Sequence, residues 1–450
     1  MKSYSLLLAL AVAGCAVGPE YQRPDLSLQA RFIGGDAQAV GAVAMQTWWR
    51  DYKDPTLNQL VDRGLAQNLD VLTATEAIRQ ARAELRMTGV NSALDGSLSA
   101  SRTRSGGEDI ASTSSSSGAL TASFVIDLFG GIQREREGAL AAVTAAQADV
   151  ETVRLAWLAE LLGAYADARY YQEVLALTRD TIKAREETVD ITRSQYESGA
   201  ATEYEVAEAQ ALLSTARAAL PQYAALFDAE VYTIATLLNE PADPIMKQLQ
   251  KGAAQLRTPS GGATGVPADV LRNRPDVRSA EAELAVALAQ VGVSEAAQYP
   301  SLSLSGAVGR SESSNTWSFG PDLSLPIFNQ GKLKAAKEVD VSVAKQAEIA
   351  WRASVMDAVE DVQIAQSNLA RYRQRSGLLF TAANDYRHAL SLAQDNYRSG
   401  AITLLELLET DRNTATARIS AASAVNDAAQ AWAVLKIATG AGAAATSLGE

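Results

Sequence analysis

Histidine and cysteine are almost missing from this sequence: His388 and Cys15 are the only ones in 450 residues. No metal-ligand cluster, phosphate-binding loop or nucleophile elbow appears, and no pair of carboxylates is set in a recognisable pocket. The chain is therefore expected not to be an enzyme, with no catalytic residue, metal site or cofactor. Aromatic residues make up only 6%, and much of the 47% hydrophobic content is alanine, which suits close helix–helix packing better than a thick globular core. The 12 prolines are mostly confined to a few segments, leaving long stretches without a helix breaker. Positive charge is in deficit, with 40 basic against 52 acidic residues and a net charge of −12. That balance excludes general nucleic-acid binding, which needs a basic surface to displace counterions.

Apolar runs long enough to span a bilayer as a helix are also lacking. The only candidate, Leu6 to Ala13 in "MKSYSLLLALAVAGC", is too short and reads as a signal peptide over residues 1–14. "AVAG" before Cys15 resembles a bacterial lipobox, whose cysteine carries a covalent lipid after cleavage; a plain secretory signal is the alternative. Cleavage leaves 39 basic against 52 acidic residues, a net charge of −13. Ala16 follows the cysteine where aspartate would favour inner-membrane retention. The lipoprotein resemblance therefore implies the bacterial outer membrane, lipid-anchored and facing the periplasm.

What is present comes twice. After a lipidated N-terminal segment (15–54), Asp54-Pro55 opens a helical pattern of Leu57, Leu60, Val61, Leu65, Leu69 and Leu72 that continues to about Val90. Period-two alternation follows in "LDGSLSASRTR" and "GALTASFVIDLFG", predicting a β-hairpin over 94–128 whose tip is a long polar loop, "SGGEDIASTSSSSG". About 65 proline-free residues then predict a helix of roughly 100 Å. It ends at the turn "YESGAAT" (196–202), where Gly199 stops it and Thr202 with Glu205 caps the return helix. That completes a first repeat, 55–240.

A linker (241–266) leads into a second repeat, 267–440: helix, hairpin 301–327, a second helix of roughly 100 Å, the turn "YRSGAIT" (397–403) and a return helix, before a tail at 441–450. Leu302, Leu304 and Val308, then Trp317, Phe319, Leu323, Leu325 and Ile327, carry the apolar face of its strands. The second turn repeats the first 201 residues later, Glu406 and Glu409 correspond to Glu205 and Glu208, and Thr416-Ala417-Arg418 to Thr215-Ala216-Arg217. Such correspondence predicts an internal tandem repeat. Four strands cannot close a barrel, and lipid tolerates no open sheet edge. Three copies would supply ~12 strands, an even number within the range of outer-membrane barrels. A small soluble sheet on a helical core is the competing reading of the alternation.

Several motifs carry a family resemblance: "GCAVGPEYQRP", "VIDLFGGIQRE", "RPDVRSAEAEL", "YPSLSLSG", "SLPIFNQGKLKAA" and the two Y-x-S-G-A-x-T turns. In this order, over essentially the whole mature chain, they resemble the TolC superfamily of outer-membrane efflux channels, in the lipoprotein branch that includes OprM and CusC (NodT-type factors). "NSALDGSLS" departs by lacking the aromatic–proline step present at Tyr299-Pro300. The resemblance implies a fold of mixed α and transmembrane β: a homotrimer with a 12-stranded β-barrel in outer-membrane lipid, continued by a long periplasmic α-helical barrel. It implies an exit duct for small molecules, such as drugs or metal ions, served by a periplasmic adaptor and an inner-membrane pump of the RND type. The turns become adaptor-docking tips, with Tyr196, Ser198, Gly199 and Thr202 in one and Tyr397, Ser399, Gly400 and Thr403 in the other. Leu405, Glu406 and Glu409 fall where the family's pore narrows, a gate of apolar and acidic rings. Glu406 and Glu409 lie three apart, on one helical face, and a solvated helix face is the plainer reading of such a pair. Arg398 and Arg412 flank the region as candidate ion-pair tethers.

The rival class is a structural coiled-coil periplasmic lipoprotein without a pore. It accounts for the long helices and the lipid, but not for two amphipathic hairpins in matching places.

Overall fold

The computed structural model describes residues 16–22, 47–259, 274–312 and 314–443. The expected signal peptide, Cys15, residues 23–46 of the N-terminal segment, residues 260–273 and the tail from 444 lie outside the described residues.

Two helices, Pro55–Gln67 and Leu69–Met87, and a single helical turn, Val90–Ala93, lead into β1 (Leu94–Gly107) and β2 (Ile110–Ile126). A first long helix (Gly131–Glu197), a first return helix (Glu203–Leu237) and a short helix (Ala242–Leu249) follow. Then come a helix (Pro275–Ala296), β3 (Ser301–Ser311), β4 (Ser314–Ser324), a second long helix (Gln330–Arg398) and a second return helix (Leu404–Ala438). The long helices have 67 and 69 residues and the return helices 35 each. Among the described residues no helix is long and apolar enough to cross a membrane. Contacts divide the chain into two compact units, residues 1–27, 74–150 and 275–356 in one, and 28–73, 151–274 and 357–450 in the other.

Local chemistry explains the starts and breaks. Asp54 caps the first helix by accepting from Thr56 N (2.8 Å) and Leu57 N (3.1 Å), with Pro55 in the first turn. Where one helix was expected to run on to Val90, Asn68 interrupts it. Its buried amide donates to Leu237 O (3.0 Å), while its Oδ1 accepts from Asp70 N and Val71 N and so caps the next helix. Gly64 is required by packing: a Cβ there would lie 2.1 Å from the Trp157 ring. The Trp157 indole in turn donates to Leu237 O (3.0 Å).

The four strands form one antiparallel sheet in the order β1-β2-β3-β4. Its register sets apolar residues in rungs on one face: Leu98–Leu120–Val308–Trp317 is one, and Leu94–Phe124–Leu304 another. The opposite face carries Ser, Thr and Asp, joined across strands by hydroxyl pairs such as Ser97–Thr121 and Ser101–Ser117, each 2.9 Å. The expected long loop at the first hairpin tip is instead strand: β1 and β2 run to Gly107 and Ile110. Serines pair across the ladder (Arg102–Ser116, Thr103–Ser115), and Arg104 reaches Ser112 Oγ at 2.9 Å. Backbone hydrogen bonds hold such a ribbon together whether or not its side chains are apolar, so alternation of polarity could not report it. In the second hairpin β4 ends at Ser324, and Leu325 and Ile327 lie just past the strand.

Candidate functional site

Both small turns are built alike. The backbone turns over at Gly199 (φ 78°) and Gly400 (φ 77°), in the left-handed region where glycine has no steric penalty. Gly199 N donates to Tyr196 O (2.9 Å) and Ala200 N to Gln195 O (2.7 Å). Gly400 N and Ala401 N repeat this to Tyr397 O (3.0 Å) and Asn396 O (2.8 Å). These bonds satisfy the last carbonyls of the long helices. Ser198 and Ser399 each donate their hydroxyl to a carbonyl three residues back, at 2.9 Å. Thr202 and Thr403 each close a capping box with the glutamate three residues on.

That box engages one of the proposed gate residues. The Glu406 carboxylate accepts from Thr403 N (2.8 Å) and Oγ1 (2.9 Å). These bonds, the backbone one foremost, hold its carboxyl below the usual carboxylate range. Leu405 and Glu409 point to solvent with Glu406, Leu405 being 60% exposed. Leu404, Leu407, Leu408 and Asp411 occupy the other side of the same helix and are buried. Three of the gate candidates thus share the free face of the second return helix, with only Leu405 and Glu409 unengaged.

The buried face is where the turns part company. Leu404, Leu407, Leu408, Tyr397 and Ala393 of the second hairpin pack with Val189, Ala209 and Leu213 of the first. Tyr397, which the family resemblance sets among the docking-tip residues, is 5% exposed, whereas Tyr196 is 45% exposed. The hydroxyls of Tyr397 and Thr192 lie 3.0 Å apart, and Thr192 is itself fully covered. Tyr397 is therefore a packing residue. Leucines in the next turn draw it inward, while Glu203 and Tyr204 occupy the equivalent places after Tyr196. Of the docking candidates, Tyr196, Ser198, Gly199, Thr202, Ser399, Gly400 and Thr403 are exposed.

Beneath this cluster lies an ion pair that no motif or periodicity in the sequence signals. Arg185 Nε donates to Asp411 Oδ2 at 2.7 Å with both side chains 9% exposed, and Arg185 Nη1 donates to Leu212 O (3.0 Å). Burial raises the Asp411 carboxyl, and the Arg185 charge opposes that shift. Further down, Arg418 reaches Asp180 (2.9 Å) and Gln430 Nε2 reaches Asp167 (2.7 Å), tying the second return helix to the first long helix. The counterpart Arg217 pairs with Glu186 (2.7 Å), inside its own hairpin. Arg398 contacts Asp395 (3.2 Å) and, at 3.8 Å, Glu187. Arg412 is exposed.

The arrangement is two helical hairpins locked side by side, with matching exposed turns. Comparison with known proteins gives this arrangement its context. The family model for outer membrane efflux protein matches residues 60–240 and again 266–441. Nodulation protein T of Rhizobium leguminosarum bv. trifolii is 36% identical, covering 96% of this chain and 96% of that protein. The probable efflux pump outer membrane protein TtgC of Pseudomonas putida is 31% identical, covering 92% and 90%. The solved outer-membrane channel OprN superposes with a TM-score of 0.85 at 27% identity, covering 95% of this chain and 99% of that one. The chain belongs to the outer membrane efflux protein family, and it is an outer-membrane efflux channel that extends into the periplasm.

Proposed function

We propose that three copies of the chain close a 12-stranded barrel, continued by a periplasmic helical barrel that receives small molecules from an adaptor and an RND-type inner-membrane pump. The open sheet carries this reading. Its edge strands β1 and β4 have no neighbour among the described residues, its apolar face is unpartnered, and Trp317 on that face is 80% exposed. In an alternating order β1 and β4 run in opposite directions, so β4 of one copy can pair antiparallel with β1 of the next. Closure removes edges that lipid would not tolerate. The face with Ser97, Thr121, Asp95 and Asp322 then lines a wet lumen. Exposed apolar residues on the second long helix, among them Val339, Ile349, Ile364 and Phe380, give neighbouring copies a surface to cover. The matching element order of the two halves supports an origin by tandem duplication.

The lipid anchor on Cys15 fits this placement. Val17, two residues on, donates its N–H to Phe129 O (3.0 Å), just past β2 at the helical end of the sheet. A lipid there would enter the periplasmic leaflet. The exposed turn residues Tyr196, Ser198, Gly199, Thr202, Ser399, Gly400 and Thr403 form the docking surface for the adaptor. Leu405, Glu406 and Glu409 narrow the pore, with Glu409 supplying the free carboxylate of each copy.

Planar-bilayer conductance of the purified protein tests both pore and gate. Glu406→Gln/Glu409→Gln removes charge while glutamine still closes the capping box. A small, cation-selective wild-type current that grows and loses selectivity in the variant is expected. Unchanged conductance and selectivity would remove the acidic gate, and no current from either folded protein would return the non-pore spacer.

A further inference from the structure

The sheet's arginines are placed unlike any other charge in it. The strands contain Arg102, Arg104 and Arg310 and no lysine. All three lie on the apolar face: Arg310 pairs with Gly118, which pairs with Ala100, and Arg102 pairs with Ser116. All three also lie beyond the rung Leu98–Leu120–Val308–Trp317, toward the hairpin turns and away from the helices. The carboxylates within the strands, Asp95 and Asp322, belong to the opposite face, Asp322 being opposite Ser303.

Along the apolar face the order is therefore a band of Leu, Phe, Val and Trp, then arginine. A charge on that face within the hydrocarbon would be costly, and cost falls toward the interface. The arginines begin one rung past Trp317, an aromatic of the type that marks a membrane boundary. Strands about 4.8 Å apart, with a two-residue offset of about 7 Å along the strand, set Arg102 and Arg310 roughly 12 Å apart at their backbones. Only Ser116 and Gly118 stand between them, so both guanidinium groups can reach one oxyanion. Among the described residues no carboxylate pairs with any of the three. Arg104 bonds to Ser112 Oγ (2.9 Å) and keeps its other donors, and all three side chains are exposed. A guanidinium fork left with free donors at this level matches phosphate oxygens.

We infer that Arg102, Arg104 and Arg310 form a collar that binds the phosphate groups of outer-leaflet lipid. The inference rests on the apolar sheet face being the lipid-facing wall of the channel. The collar holds the barrel at a fixed height against the leaflet opposite to the periplasmic end. It is separate from the export path, because the same strands turn no basic residue to their polar face.

The test uses full-length protein in detergent, with bisphosphorylated lipid A and the same lipid stripped of phosphate as probes. Wild type is expected to bind the phosphorylated form at least about tenfold more tightly. Arg102→Gln/Arg104→Gln/Arg310→Gln should abolish that preference while leaving bilayer conductance and oligomer migration as in wild type. The single variant Arg310→Gln should reduce the preference about threefold. Equal wild-type affinity for the two lipids, or a preference that survives in the triple or single variant, overturns the collar. Loss of conductance in wild type itself overturns the channel reading, whatever the lipid result.

Discussion

The two turns of this molecule share a backbone and differ in what lies beneath it. At both, glycine takes a left-handed φ, a serine hydroxyl folds back on the helix and a threonine–glutamate box starts the next helix. Beneath the second, Leu404 is 1% exposed and Tyr397 is buried; above the first, Glu203 and Tyr204 stand in solvent. The second return helix binds the first hairpin through Asp411, Arg418 and Gln430, while the first return helix keeps Arg217 for its own hairpin. A repeated motif thus sits in two settings: the second copy packs against the other hairpin, and the first leaves Tyr196, Glu203 and Tyr204 exposed.

Asp411→Ala breaks this comparison most sharply. It strands Arg185 as a buried charge and should cost about 3–5 kcal/mol, read from urea-dependent unfolding. Gln210→Ala, at the equivalent position of the first return helix, should cost under about 0.5 kcal/mol. Equal losses would mean that the ion pair is no asymmetric anchor. Leu404→Ala comes next, at about 2–4 kcal/mol for a large buried side chain; Glu203→Ala, its exposed counterpart, should lie within about 0.5 kcal/mol of wild type. Protease cleavage at each turn gives an independent measure, with only the leucine variant expected to open its turn. The smallest effect probes what the turns share. Gly199→Ala and Gly400→Ala meet no atom within 4 Å, so each should cost only the left-handed backbone penalty, about 1–2 kcal/mol. Unequal costs would show that packing reaches the turn backbone itself.

Much of this was legible in the sequence, and the reasons differ by element. Helices longer than 60 residues announce themselves by the lack of proline and by apolar steps of three and four. The capping boxes are local, needing only residues three apart. Alternation found the apolar rungs of all four strands because one face is chemically distinct from the other. The same rule missed the outer ends of β1 and β2, where serine and threonine occupy both faces. Helical periodicity likewise missed the break at Asn68, whose Oδ1 caps the next helix while its amide is held by Leu237 O, far along the chain. The site was read less completely. Glu406 carries both a capping pattern and a gate position, and Tyr397 looks identical to Tyr196 as text.

By itself, then, the sequence determined the order of elements, the turn geometry and which face of each strand is apolar, because these depend on residues within a few positions of one another. The tertiary structure alone decided that Arg185 meets Asp411, that Tyr397 is buried while Tyr196 is not, and that three arginines gather at one end of one sheet face. Those outcomes depend on which helix or strand lies alongside. Pairing between segments 200 or more residues apart, as between Arg185 and Asp411, leaves no periodicity in the chain from which to read it.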